Sequence, residues 1–155
     1  MDYVLIFVRR NDEVLTVLKN RPAHQKNRIN LPGGKVENNE SFYDAVIREL
    51  YEETGLEVSE NILPEYFGSI AGSWGVVEVW SAETKNYEIN SKETEFFSWQ
   101  KWDDLKNDPR LLPNLRVVIP LMMNKVNGWT ILDEGYSSMN GYHTFSITWK
   151  LPESQ

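Results

Sequence analysis

Residues 33–56 read GGKVENNESFYDAVIRELYEETGL, and everything else in the chain is best read outward from them. Arg48-Glu49-Leu50-Tyr51-Glu52-Glu53 sets three carboxylates within five positions. Like charges at adjacent and i,i+3/i+4 positions repel, so stability alone gives no reason to gather them. Ser41 opens a helix with Asp44 at the capping-box offset, and Gly55 suits the left-handed residue that ends one. Val46, Ile47 and Leu50 supply the apolar side of that helix, flanked by Phe42, Tyr43 and Tyr51. At 3.6 residues per turn, Glu49, Glu52 and Glu53 share an arc of roughly 100°. The spacing predicts one acidic face, turned away from most of the packing side chains.

The segment before this helix has the opposite charge. From Leu18 to Val36 there are five cations, Lys19, Arg21, Lys26, Arg28 and Lys35, and no acid. Leu31-Pro32-Gly33-Gly34 marks a tight backbone turn between the two. A basic loop running into an acidic helix can hold a small, highly anionic ligand together with its metal ions. The net charge of −7 argues against a broad basic face for long nucleic acid.

At 155 residues the chain is long enough for one domain with its own core, and we read 1–155 as a single unit. There is no Cys, so the fold owes nothing to an oxidising compartment. His24 and His143 stand alone in the sequence, which leaves no His-rich zinc site. The apolar run near the start is broken at once by Arg9, Arg10 and Asp12, and no stretch approaches membrane-spanning length. A soluble, cytoplasmic protein without a membrane partner is expected.

Tyr3 to Val8 and Val14 to Leu18 are β-rich runs around a hairpin signal. Beyond the helix, Glu65 to Ile70 and Val76 to Ala82 read as strands joined by a Gly/Ser turn, and Glu95 to Trp99 as a short strand. Trp102 to Leu105 begins a short helical element and Leu115 to Val126 a longer helix, in which Pro120 predicts a kink or a late start. From Trp129 to Leu151 strand-like residues surround Asn140-Gly141, a hairpin signal. The expected class is α/β with a mixed sheet.

Gly34, Glu40, Arg48, Glu49, Leu50, Glu52, Glu53, Gly55 and Leu56 match the pattern GX5EX7REUXEEXGU, with U aliphatic. This is the Nudix box, and the chain resembles a Nudix hydrolase of the MutT-like subgroup. From average residue usage such a match arises by chance with a probability of order ~10⁻⁹ per window. The resemblance implies a mixed β-sheet sandwiched between helices, and hydrolysis of nucleoside diphosphates linked to a further moiety. It implies Mg²⁺, with Mn²⁺ as a substitute, held by Glu49, Glu52 and Glu53 and by the backbone carbonyl of Gly33. Arg48 would orient the carboxylates, Glu40 would support the loop–helix geometry, and Gly34 and Gly55 would be structural. The general base stays unassigned among the carboxylates of this cluster and of a later loop. Glu93 and Glu95, which both precede Trp99, are the candidates from that loop, with solvated loop charges as the alternative.

The box specifies a pyrophosphate, not what hangs from it. Asn30 lies three residues before Gly33, where oxidised-purine triphosphatases of the family carry a base-contacting Asn. Asn114, in Leu112-Pro113-Asn114-Leu115, resembles the place of a purine-reading Asn or Asp in MutT-type enzymes. An amide offers a donor and an acceptor side by side, which suits a purine edge, although a loop cap and a helix cap account for them equally well. Lys19, Arg21 and Arg28 are candidates to clamp outer phosphates, and Trp74, Trp80 or Phe97 to stack on a base, with core packing favoured for Trp80. His24 could reach a phosphate or simply brace its loop, and His143 carries no functional signal. Three signatures of relatives are absent: the SQPWPFPXS array of NADH hydrolases, and the Pro or Tyr that ADP-ribose and diadenosine polyphosphate hydrolases carry near Gly72-Ser73-Trp74. The expected substrate is a purine nucleoside triphosphate, ordinary or oxidised. A nucleotide sugar, ADP-ribose or another NDP-X compound, and a nucleotide-sensing module without turnover, are the alternatives. The partner is then a small nucleotide rather than a nucleic acid polymer, and the protein a monomer or homodimer.

Overall fold

The computed structural model describes residues 1–85, 89 and 96–150. Tyr3–Arg10 (β1) and Glu13–Leu18 (β2) form the first hairpin, closed at Asn11 with a left-handed φ of 54°. A 3-10 turn at Ala23–Gln25 leads to the short strands Ile29–Asn30 (β3) and Gly33–Lys35 (β4). The box helix follows as Phe42–Thr54 (α1), then Glu65–Gly72 (β5), Gly75–Glu83 (β6) and Phe96–Lys101 (β7). Trp102–Leu105 (α2), Leu115–Met123 (α3), Trp129–Ser137 (β8) and Tyr142–Trp149 (β9) complete the order.

The strands join one sheet in the order β3-β2-β1-β6-β5-β8-β9, with β4 paired to β1 and β7 to β2. It is mixed: β1/β6 and β5/β8 are parallel, and the remaining pairs antiparallel. Strand β1 explains why its sequence is a continuous apolar run. Successive side chains point to opposite faces, and both faces are covered. Val4, Ile6 and Val8 pack with Ala45, Val46 and Leu50 of α1, while Leu5 and Phe7 join the core containing Leu115, Val118, Ile119 and Met122 of α3. The result is the expected helix–sheet–helix sandwich.

Several strands run one or two residues beyond expectation, and two later features differ more. Helix α3 stops at Met123, because Lys125 turns left-handed (φ 54°) and Val126 N–H donates back to Leu121 O at 2.9 Å, a Schellman-type ending. Pro120 is accommodated inside it, at the cost of one backbone bond. The last hairpin does form, but through a four-residue loop, 138–141, in which Gly141 (φ 70°) donates to Ser137 O at 2.8 Å. Among the described residues, no helix is long and apolar enough to cross a membrane.

Candidate active site

The geometry starts with how α1 is held. The Ser41 side chain accepts from Asp44 N–H at 3.0 Å, and Gly55, at φ 75°, closes the helix by donating to Tyr51 O at 2.8 Å. Ala45, Val46 and Leu50 face the sheet and fix the rotation of the helix. That rotation brings Glu49 and Glu53, one turn apart, beneath β4.

The acidic face is not the open one expected from helical spacing. Glu49 and Glu53 are only 8% and 6% exposed, covered by the Gly33–Lys35 strand that pairs with β1. Glu52 alone of the three stays partly exposed. A buried carboxylate is costly unless it is partnered, and these are. Gly33 N–H donates to Glu53 Oε2 at 2.8 Å, and Arg48 Nη1 donates to Glu49 Oε1 at 2.9 Å and to Glu52 Oε2 at 3.3 Å. The approach of strand and helix is so close that a Cβ on Gly34 would lie 2.2 Å from Glu49 Oε1.

Arg48 is the hub. Its Nε and Nη2 grip Glu40 in a two-point pair at 2.8 and 2.9 Å, and Nη2 also donates to Lys35 O at 3.0 Å. Glu40 in turn accepts from Glu37 N–H at 3.0 Å. The hydrogen bond from Arg48, then that from Glu37 N–H, holds the Glu40 carboxyl at about 2. Glu40 likewise pushes the Arg48 guanidinium above its ordinary value. Loop, strand and helix are thus tied through one cation. All the donors offered here are oxygens, which fits a hard divalent ion. With Glu49 and Glu53 turned to protein donors, no three acidic groups among the described residues converge as ligands. Glu93 and Glu95 lie outside the described residues.

Beside β4 opens a cleft of about 660 Å³, within the range of small-molecule sites. Gly33, Gly34 and Lys35 form its floor nearest the carboxylates. Of the residues expected to touch substrate, Lys19, Asn30 and Asn114 line it, as do His24 and Trp74. Asn30 already uses its Oδ1 to accept from Leu31 N–H at 2.8 Å. Asn114 occupies the position before α3 without capping it through its side chain. Arg21 and Arg28 are not part of the lining, and Arg28 donates to Pro109 O at 3.3 Å. Trp80 packs between Tyr43 and Tyr66, with ring centroids 5.5 and 5.6 Å away, and Phe97 packs against the α1-side core.

One part of the lining was not foreseen. It comes from the last hairpin, as Asp133, His143 and Phe145. The sequence signal was the alternation that puts His143 and Phe145 on one strand face; that Asp133 joins them follows from its pairing with Phe145, a register the residues do not spell out.

A family model described as the NUDIX domain matches residues 1–122. The chain belongs to the Nudix hydrolase family. It is 30% identical over 112 residues to the NAD-capped RNA hydrolase NudC of Vibrio parahaemolyticus, covering 71% of this chain and 41% of that protein. It is 37% identical over 62 residues to the 8-oxo-dGTP diphosphatase of Escherichia coli, covering 40% and 43%. The chain therefore spans less than half the length of these curated relatives. Among solved structures, the MutT protein of Bacillus halodurans superposes with a TM-score of 0.74 over 94% of this chain and 96% of that one, at 21% identity.

Proposed function

We propose that the protein is a Mg²⁺-dependent pyrophosphohydrolase of purine nucleoside triphosphates, releasing the nucleoside monophosphate and pyrophosphate. The observation that carries this reading is the continuity of the site. One cleft runs from Asn30 and Asn114 to the Gly33-Gly34 ledge, directly behind which Glu49 and Glu53 are buried. A base bound near the two amides leaves its phosphates at the ledge, beside Lys19 and Lys35.

Glu49, Glu52 and Glu53, with the Gly33 carbonyl and a carboxylate from Glu93 or Glu95, hold the cation, for which Mn²⁺ substitutes. The cation supplies charge neutralisation at the cut anhydride and lowers the pKa of bound water. Arg48 holds Glu49 and Glu52, and Gly33 N–H holds Glu53, in the positions from which these carboxylates would take the ion. The domain acts as one unit, in the cytoplasm, as a monomer or homodimer.

A panel of nucleotides with Mg²⁺, reading pyrophosphate against orthophosphate, tests the reaction. Asn30→Ala is expected to raise KM about tenfold for purine triphosphates and less for pyrimidine ones. An equal effect on both removes Asn30 from base reading. The likeness to an NAD-capped RNA hydrolase favours a second reading, the same chemistry on an NDP-X compound. In that case NADH, ADP-ribose or a capped RNA is cleaved to the monophosphate faster than any triphosphate.

A further inference from the structure

The last hairpin lies beyond residue 122, outside the part of the chain that the family model matches, yet it builds one wall of the cleft. Its polar groups there are organised rather than scattered. Asp133 accepts three hydrogen bonds: from Trp74 Nε1 at 3.1 Å, from Gly135 N–H at 2.9 Å, and from His143 Nε2 at 2.5 Å. The His143 ring stacks on Phe145, with centroids 4.5 Å apart and planes 9° from parallel. The Asp133 side chain is 16% exposed while that of His143 is 35% exposed, so the carboxylate is covered and the ring still reachable from the cleft.

We propose that His143 is a specificity-determining residue of the nucleotide site, accepting a hydrogen bond from an exocyclic amine of the base, with Asp133 as the positioning residue that fixes its tautomer. This rests on the nucleotide reading given above. Burial alone would raise the Asp133 carboxyl, but the bonds from His143, Gly135 and Trp74 outweigh it and hold the group below its ordinary value, hence ionised. An ionised carboxylate only accepts, so Nε2 is the nitrogen that donates to it, and in the neutral form of the ring Nδ1 is left as an acceptor. Asn30 lines the same cleft; its Oδ1 accepts from Leu31 N–H, and its amide N–H groups are the donors it brings. A donor from Asn30 and an acceptor from His143 in one cleft suit a base that carries a ring acceptor beside an amine.

The register puts the two groups together. Asp133 pairs with Phe145, and His143, two residues from Phe145, points to the same face, so carboxylate and ring meet diagonally across the pair; the extra residue of β8 falls between Asp133 and Gly135. Gly135, at φ 88°, absorbs the bend and donates to Asp133. Ring plane, tautomer and carboxylate are set before a ligand arrives, which lowers the ordering cost of binding.

The test compares ATP with purine riboside triphosphate, which is ATP without its exocyclic amine. His143→Ala is expected to raise KM for ATP about tenfold, with kcat within about twofold, and to leave the amine-free nucleotide within about twofold. Asp133→Asn, nearly isosteric, is expected to act in the same direction, and ¹⁵N NMR of the His143 ring to change from the Nε2–H form to a tautomer mixture. Equal KM shifts for the two nucleotides, or none, would overturn the proposal, as would an unchanged tautomer in Asp133→Asn. If the wild-type protein hydrolyses no triphosphate, the functional reading fails by itself. The same pair of nucleotides, titrated by tryptophan fluorescence, then decides the inference. A tenfold weaker ATP affinity in His143→Ala alone upholds it, and equal affinities overturn it.

Discussion

Glu49, Glu52 and Glu53 differ in what surrounds them, and the difference sets what each substitution does. Glu53 is buried and accepts from Gly33 N–H, whereas Glu52 is partly exposed and shares Arg48 with Glu49. Glu53→Gln keeps the shape and an acceptor for Gly33 but removes the charge that a divalent ion needs. Both Glu52→Gln and Glu53→Gln are expected to lower turnover by about 100-fold or more while the melting temperature stays close to wild type. Near wild-type rates in both variants would remove these residues from the metal site. The types and spacing of these residues were readable from the sequence. Their burial was not, because it is imposed by β4, whose pairing with β1 joins residues some thirty positions apart in sequence.

At the scale of elements, the contact between β4 and α1 controls the site. Gly34 lies where a Cβ would stand 2.2 Å from Glu49 Oε1 and 2.6 Å from its carboxyl carbon. The clash is with the end of a side chain, which can move, so the expected casualty is the placement of Glu49 more than the fold. Gly34→Ala should cut turnover by at least about tenfold with a melting temperature within a few degrees of wild type, as read by kinetics and calorimetry. Unchanged turnover would mean that the position of Glu49 is immaterial. The helix itself was legible end to end, since Ser41 caps its start through the Asp44 N–H and left-handed Gly55 ends it. The last hairpin was legible only as a hairpin. Its Asn140-Gly141 signal marked the loop, but the register that sets Asp133 opposite Phe145, and so beside His143, leaves no pattern in the residues.

Over the whole molecule, a mixed α/β sheet was foreseen from the strand-like runs and apolar helices, its sandwich from the resemblance carried by residues 34–56, and an anion-holding site from the basic loop beside the acidic helix. Stability should also carry the mark of the Arg48–Glu40 pair that ties loop to helix. The Glu40 carboxyl falls from an ordinary 4.5 to about 2 on folding. A lowered carboxyl stabilises the fold above its unfolded value, and that contribution is lost as pH falls from about 4.5 towards 2. Melting temperature measured across this window should therefore fall more steeply for wild type than for Glu40→Gln. Parallel curves would mean that the pair does not couple to folding.

The central claim is that cleft and carboxylates form one nucleotide-cleaving site. Its most direct measurement is product analysis with a purine nucleoside triphosphate in the presence and absence of Mg²⁺. The account predicts nucleoside monophosphate and pyrophosphate in equal amounts, abolished by chelation and restored by Mg²⁺ or Mn²⁺. Release of orthophosphate instead, or turnover that survives both chelation and Glu53→Gln, would contradict it.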